Sequence, residues 1–174
     1  MLRIHVPNLE CFCIGFMRDG KSIYSGWHDG KIRCFLPQSG KLLFCISDAH
    51  VNGVTAITCT SDNQKLISGG MNGEIRIWKI GKQCQTMESS LKEHRGRVWS
   101  IQVNSLNDRA ISASADGSCI IWDIKNYVRF ACMFENTMFK QLVYHPQEAQ
   151  ILTTGSAKKV FLIMKQILYF KLCF

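Results

Sequence analysis

An all-β fold, made of a four-stranded antiparallel unit used about four times, is predicted by three observations. The first is self-similarity. The stretches "SGWHDGKIRCFLP" (25–37), "SGGMNGEIRIWKI" (68–80), "SASADGSCIIWDI" (112–124) and "TTGSAKKVFLIMK" (153–165) follow one another at spacings of 43, 44 and 41 residues, and a fixed period in this range marks a repeat architecture. The second is turn chemistry. Asx-Gly pairs stand between short apolar runs, and Gly accepts the positive φ of a tight hairpin at little steric cost. The third is period. Apolar residues alternate along the runs, and no helical spacing competes over a long window.

The elements follow in order within each unit. In the second, "VTAITCT" (54–60) is strand a, "SDNQ" turns, and "KLISGG" (65–70) is strand b. "MNG" turns again into strand c, "EIRIWKI" (74–80), and "CQTMESSL" (84–91) supplies strand d. The third unit repeats the scheme with "VWSIQV", "RAISAS", "SCIIWDI" and "YVRFACMF". Along strand c, Ile32 and Cys34, Ile75 and Ile77, Cys119 and Ile121, and Val160 and Leu162 fall on one face. Four antiparallel strands per period describe the blade of a β-propeller. The chain therefore reads as one partial propeller over 1–174, with units at about 7–49, 50–93, 94–136 and 137–174 and a divergent tail from about 162.

Composition sets outer bounds. At 174 residues and 47% hydrophobic content the chain can bury a core, and with only 3 Pro it lacks the bias of a disordered segment. A net charge of +8 points to an anionic partner, but the basic residues are spread out and form no polybasic arm. The 9 cysteines show neither C-x-x-C pairs nor His at ligand spacing. An odd, unpatterned set reads as reduced thiols in an intracellular protein. No cofactor or metal is expected. "MLRIHVPNLE" lacks the apolar core of a signal peptide. The apolar C-terminal run is interrupted by Lys165 and Lys171 and is too short to span a bilayer.

The polar residues of the repeat converge. In a four-stranded meander the d–a connection and the b–c turn share one end, so His94 should meet Asp116. Ser112 and Trp122 point toward them. A carboxylate, an imidazole, a hydroxyl and an indole N–H can then satisfy one another where strand packing would bury them unpaired. Ser, His and Asp also make hydrolases. Here they recur with the repeat, and neither a glycine-rich nucleophile turn nor a phosphate-binding loop accompanies them. The set is read as structural, and no catalytic residue is assigned.

These units resemble WD-repeats, whose Trp-Asp dipeptide stands here as Trp122-Asp123. The resemblance implies a structural tetrad. The third unit matches it fully with His94, Ser112, Asp116 and Trp122. The second has His50, Ser68 and Trp78, with Asn72 in place of the Asp, so that blade is expected to be held less firmly. The first keeps Ser25 and Asp29, with Phe35 at the Trp position and no aligned His. The fourth has Ala157 and Ile163, and no tetrad.

Longer matches, such as "DGKSIYSGWHDGKIRCFLPQSGKLLF", "AHVNGVTAITCTSD" and "YHPQEAQILTTGS", are similar to the cilia- and flagella-associated WD-repeat family of motile axonemes over roughly residues 7–161. That resemblance implies a non-enzymatic scaffold with two propellers in the full family pattern. It would reside in the cytoplasm and the axoneme, be held in doublet microtubules, and support ciliary and sperm motility. After about Phe161 the pattern departs, so the terminus is expected to be alternative or truncated. Four open blades are expected to be poorly stable alone or completed by a partner.

Propeller function sits on exposed loops. His28, Asn52, Met71, Arg95, Arg97 and Ala115 lie at the tetrad end and are the candidate partner contacts, with the two arginines suited to an acidic protein surface such as tubulin. Trp99 on strand a is expected in the core. Two rival readings are an adaptor or ubiquitin-ligase substrate receptor, and a nucleic-acid binder. Lys125 stands where ligase adaptor boxes usually carry Arg, which weakens the first. The second lacks exposed aromatic residues for base stacking. Small-molecule substrates and membranes are not expected as partners.

Overall fold

The computed structural model describes residues 3–82, 84–148, 150–156 and 160–164. Its secondary structure is all strand and turn, in four sheets. The first holds β1 (Cys11–Phe16), β2 (Ile23–Trp27), β3 (Ile32–Phe35) and β4 (Leu42–Ile46). The second holds β5 (Val54–Cys59), β6 (Lys65–Gly70), β7 (Ile75–Ile80) and β8 (Gln85–Leu91). The third holds β9 (Val98–Val103), β10 (Arg109–Ser114), β11 (Ser118–Asp123) and β12 (Val128–Phe134). The fourth holds β13 (Phe139–Tyr144), β14 (Gln150–Gly155) and β15 (Val160–Met164). Every pairing is antiparallel and between neighbours in sequence, which is the meander of a propeller blade.

The sheets stack through opposite faces, as strand alternation dictates. Ile67, Ile75 and Ile77 on one face of the second sheet pack with Ile101, Ala110, Ile120 and Trp122 of the third. The other face of the second sheet, with Cys59, Leu66 and Trp78, closes on Tyr24, Ile32 and Ile46 of the first. Ile111, Ala113 and Cys119 of the third meet Phe139, Leu142 and Ile151 of the fourth. The first strand of each sheet is innermost, with β1 packed on β5, β5 on β9 and β9 on β13. The result is an incomplete propeller in which, among the described residues, an apolar face is left uncovered on the first sheet and on the fourth. Ile14 and Phe16 are 69% and 61% exposed on the first sheet, and Val160 is 67% exposed on the fourth.

Two kinds of contact fix one sheet against the next. At the tetrad end, the turn glycines Gly30, Gly73 and Gly117 have positive φ (77°, 83° and 83°). A side chain at any of them would run into the carbonyl of His50, His94 or Glu135, respectively, where the following unit begins. At the opposite end, the turn between the first two strands carries a left-handed residue whose side chain accepts an N–H from the preceding sheet. Arg18 N–H donates to Asn63 Oδ1 (2.7 Å) and Ser61 N–H to Asn107 Oδ1 (2.8 Å). Ser105 N–H donates to Glu148 Oε1. Asn63, Asn107 and Glu148 all have φ of 54–58°. This clasp recurs at all three sheet–sheet junctions.

Candidate functional site: the polar tetrads and the inner-strand bulges

In the third sheet, β10 carries Ser112 and β11 carries Trp122, while His94 precedes β9 and Asp116 sits in the β10–β11 turn. The indole Nε1–H of Trp122 donates to Ser112 Oγ (2.7 Å), and His94 Nε2 lies 2.6 Å from the same oxygen. His94 Nδ1 lies 3.2 Å from Asp116 Oδ2 and 2.7 Å from Ser118 Oγ. The consistent assignment places the ring proton on Nδ1, so that Nε2 accepts the Ser112 hydroxyl. Asp116 is fixed in turn by the Arg95 N–H (2.7 Å) and by Ser118 through both its N–H (2.9 Å) and its hydroxyl (2.5 Å). Burial works against its charge, but these donors outweigh it and hold the carboxyl below the usual range. Burial also pulls His94 below its ordinary value, with Asp116 opposing, so the ring is neutral at pH 7.

Ser118 was invisible to the sequence reading, although it bonds both His94 and Asp116. The available signal was its position two residues after the Asp, where a hydroxyl can reach back across the turn. Asp116→Ala strands donors from Arg95, Ser118 and His94, and is expected to cost about 1–3 kcal/mol. Thermal unfolding of that variant is the check, and an unchanged midpoint would count against this account.

The second sheet keeps only half of this arrangement. His50 Nε2 lies 2.8 Å from Ser68 Oγ, and Trp78 Nε1–H donates to it (2.9 Å). Asn72 does not reach the ring. Its side chain turns to Glu74 instead, and His50 Nδ1 is buried without a partner. Asn72 is therefore corrected from tetrad member to a neighbour of Glu74. That carboxylate, 3% exposed, occupies the place of Ser118. It takes a forked contact from Arg76 (3.0 and 3.1 Å) and the hydroxyl of Ser90. Against the pull of burial, these partners hold Glu74 down at about 2. Arg76 also donates to the Asp48 and Ala49 carbonyls (2.7 and 3.1 Å), tying the second sheet to the linker from the first.

In the first sheet the indole comes from an unexpected strand. Trp27 on β2 donates to Ser25 Oγ (2.7 Å), since residues two apart share a strand face. Phe35, expected at the Trp position, is buried and contributes only packing. Asp29 closes onto no ring but forms a forked pair with Arg33 (3.0 and 2.6 Å), and Arg33 lies over Trp27 at 5.2 Å. In the fourth unit Ala157 and the side chain of Ile163 lie outside the described residues.

The candidate contact residues separate into two groups. His28, Asn52 and Arg95 are exposed. Met71 and Ala115 are half-buried, with their N–H groups tied to Gly53 and Arg97 carbonyls (3.2 and 2.9 Å). Arg97 is half-buried between rings, 4.0 Å from Trp99 and 5.1 Å from Phe12. Trp99, expected in the core, is likewise only half-buried. The cause is a bulge at the start of each inner strand, which reverses the alternation on which that expectation rested. The register skips Phe12, Thr55, Trp99 and Lys140 in turn.

Ser112 is 0% exposed and its oxygen is shared by an indole and an imidazole. No substrate carbonyl can approach it, so the Ser–His–Asp sequence of contacts is closed to acyl transfer.

The repeat sets coincide with a recognised signature. The description "WD domain, G-beta repeat" matches residues 40–79 and 84–123, which contain the second and third sets. The chain belongs to the WD-repeat β-propeller family. Within it, the chain is similar to cilia- and flagella-associated protein 52, with 51% identity to the protein of Mus musculus and of Homo sapiens over 160 residues. The identity to the Chlamydomonas reinhardtii protein is 53% over 160 residues. In each case the match covers 92% of this chain and 26% of the relative, so the chain spans about a quarter of the length of these curated relatives.

Proposed function

We propose that this chain is a non-catalytic interaction scaffold of the cilium or flagellum, holding axonemal proteins through the loops at its tetrad end. The observation that carries the ciliary setting is the identity of 51–53% to cilia- and flagella-associated proteins from mammals and an alga. The buried state of Ser112 supports a scaffold over an enzyme, and the hydrogen-bonded sets are proposed to be structural: they join neighbouring strands and consume their own reactive groups. Motility support, residence in the cytoplasm and an acidic partner such as tubulin belong to the same proposal. Exposed Arg95 and the net charge of +8 favour that partner chemistry.

The test is localisation and retention. A tagged chain expressed in multiciliated cells is expected along the axoneme and to stay there after detergent extraction. Purified chain is expected to co-sediment with microtubules in a salt-sensitive manner. A chain confined to the cell body and fully detergent-soluble would overturn the proposal.

A further inference from the structure

The four inner strands begin with a bulge each, and bulges re-aim side chains at rims and sites. In the second sheet the bulged residue is absorbed by the fold, since the Thr55 hydroxyl lies 2.5 Å from the Val98 carbonyl and 3.2 Å from that of Gly69. Phe12 and Trp99 differ. Both rings lie against the guanidinium of Arg97, at 5.1 and 4.0 Å, and His28 packs edge-on against Phe12 at 5.7 Å. The first and third sheets thus meet across the second, at Gly53. That residue has φ of +114°, and a Cβ there would sit 3.0 Å from Phe12 and 3.3 Å from the His28 carbonyl. Glycine is required for the rings to come together.

This cluster is polar but unsatisfied. Arg97 Nε and Trp99 Nε1 are buried donors with no hydrogen-bond partner. The other half-buried arginines each hold a carboxylate, Arg33 with Asp29 (2.6 Å), Arg76 with Glu74 (3.0 Å) and Arg109 with Asp123 (2.7 Å). Among the described residues Arg97 has none, and its terminal nitrogens take no partner there. The fourth bulge position adds an exposed cation, Lys140. Rings locate the guanidinium while leaving its fork free, which is a pre-organised receptor for an anion.

We infer that Arg97, set between Phe12 and Trp99, is a recognition site for a carboxylate on an acidic segment of a partner protein. A carboxylate fits the fork of one guanidinium. A nucleobase would need an open ring face, and Arg97 already covers one face of Phe12 and one of Trp99. The inference deepens the scaffold reading and rests on it for the partner being a protein.

The experiment is a fluorescence-anisotropy titration of the full chain with a labelled polyglutamate peptide. A polyglutamine peptide and a poly-dT oligonucleotide run beside it. Polyglutamate is expected to bind, and Arg97→Gln to weaken it about tenfold or more. Arg18→Gln, at an exposed arginine beside the clasp at the opposite end of the sheets, is expected to change it by less than about threefold. Tryptophan emission is a second readout: the change on adding polyglutamate should vanish in Trp99→Phe, because the other three indoles donate to buried serines. Arg97→Lys, which keeps the charge without the fork, should fall between. Equal losses from the two glutamine variants would overturn the inference, as would tighter Arg97-dependent binding of poly-dT or an emission change that persists without Trp99. A ciliary signal that is lost while polyglutamate still binds sinks the scaffold reading alone; ciliary retention without Arg97-dependent binding sinks this inference alone.

Discussion

Glu74→Ala is expected to lower stability by about 3–5 kcal/mol, the range for deleting one partner of a buried ion pair. The carboxylate is 3% exposed, and it neutralises Arg76 while also drawing in Ser90 and, at 3.6 Å, Lys92. Without it the Arg76 guanidinium stays pinned to the Asp48 and Ala49 carbonyls with its charge uncompensated. Glu74→Gln retains the shape and some hydrogen bonds, so its cost should be smaller. Urea unfolding checks the order. A loss below about 1 kcal/mol for the alanine variant would show that Arg76 relaxes into water, and that the second sheet does not depend on this pair.

Acid should weaken the fold in two separate windows. His50 is 5% exposed and its pKa falls from the ordinary 6.5 to about 4, chiefly through burial and then through Arg76, with Glu74 opposing. The unfolded chain therefore binds a proton that the folded chain refuses. Stability present above 6.5 is lost as pH falls toward 4, by about 3 kcal/mol at most. Glu74 behaves oppositely in origin but adds in the same direction. Its folded value lies near 2 against an ordinary 4.5, so its contribution holds above 4.5 and disappears as pH falls toward 2. Unfolding midpoints followed from pH 7 downward should show both steps. His50→Gln should shrink the upper one to the part that His94, also held below its ordinary value by burial, contributes, and leave the lower. Identical profiles for the parent chain and His50→Gln would rule out His50 as the source of the upper step.

Much of this architecture was legible in the residues. Asx-Gly turns and β-branched runs placed β5–β7 and β9–β11 almost residue for residue, because hairpins are specified locally. The meeting of His94, Ser112, Asp116 and Trp122 could be reasoned from meander topology alone. What escaped was set by side-chain reach across turns and by local breaks in period. Glu74 and Arg76 look like surface charges in "NGEIRIW", yet alternation puts them on the face that carries Ser68 and Trp78, between two sheets. The repeat places its indole on strand c and so does not point to Trp27, although two residues on one strand are enough to bring an indole to Ser25. Trp99 was misplaced because a bulge leaves no mark in the composition of "RVWSIQV".

The clasp between successive sheets has a direction. Each junction needs an N–H on one side and a left-handed residue with an acceptor side chain on the other. The equivalent residue in the first sheet is Gly20, also left-handed at φ 67° but with no side chain to accept. The equivalent donor in the fourth is Pro146, which has no N–H. A body that seats against the outer face of the first or the fourth sheet therefore meets a surface without this clasp, and its alignment there must come from other contacts.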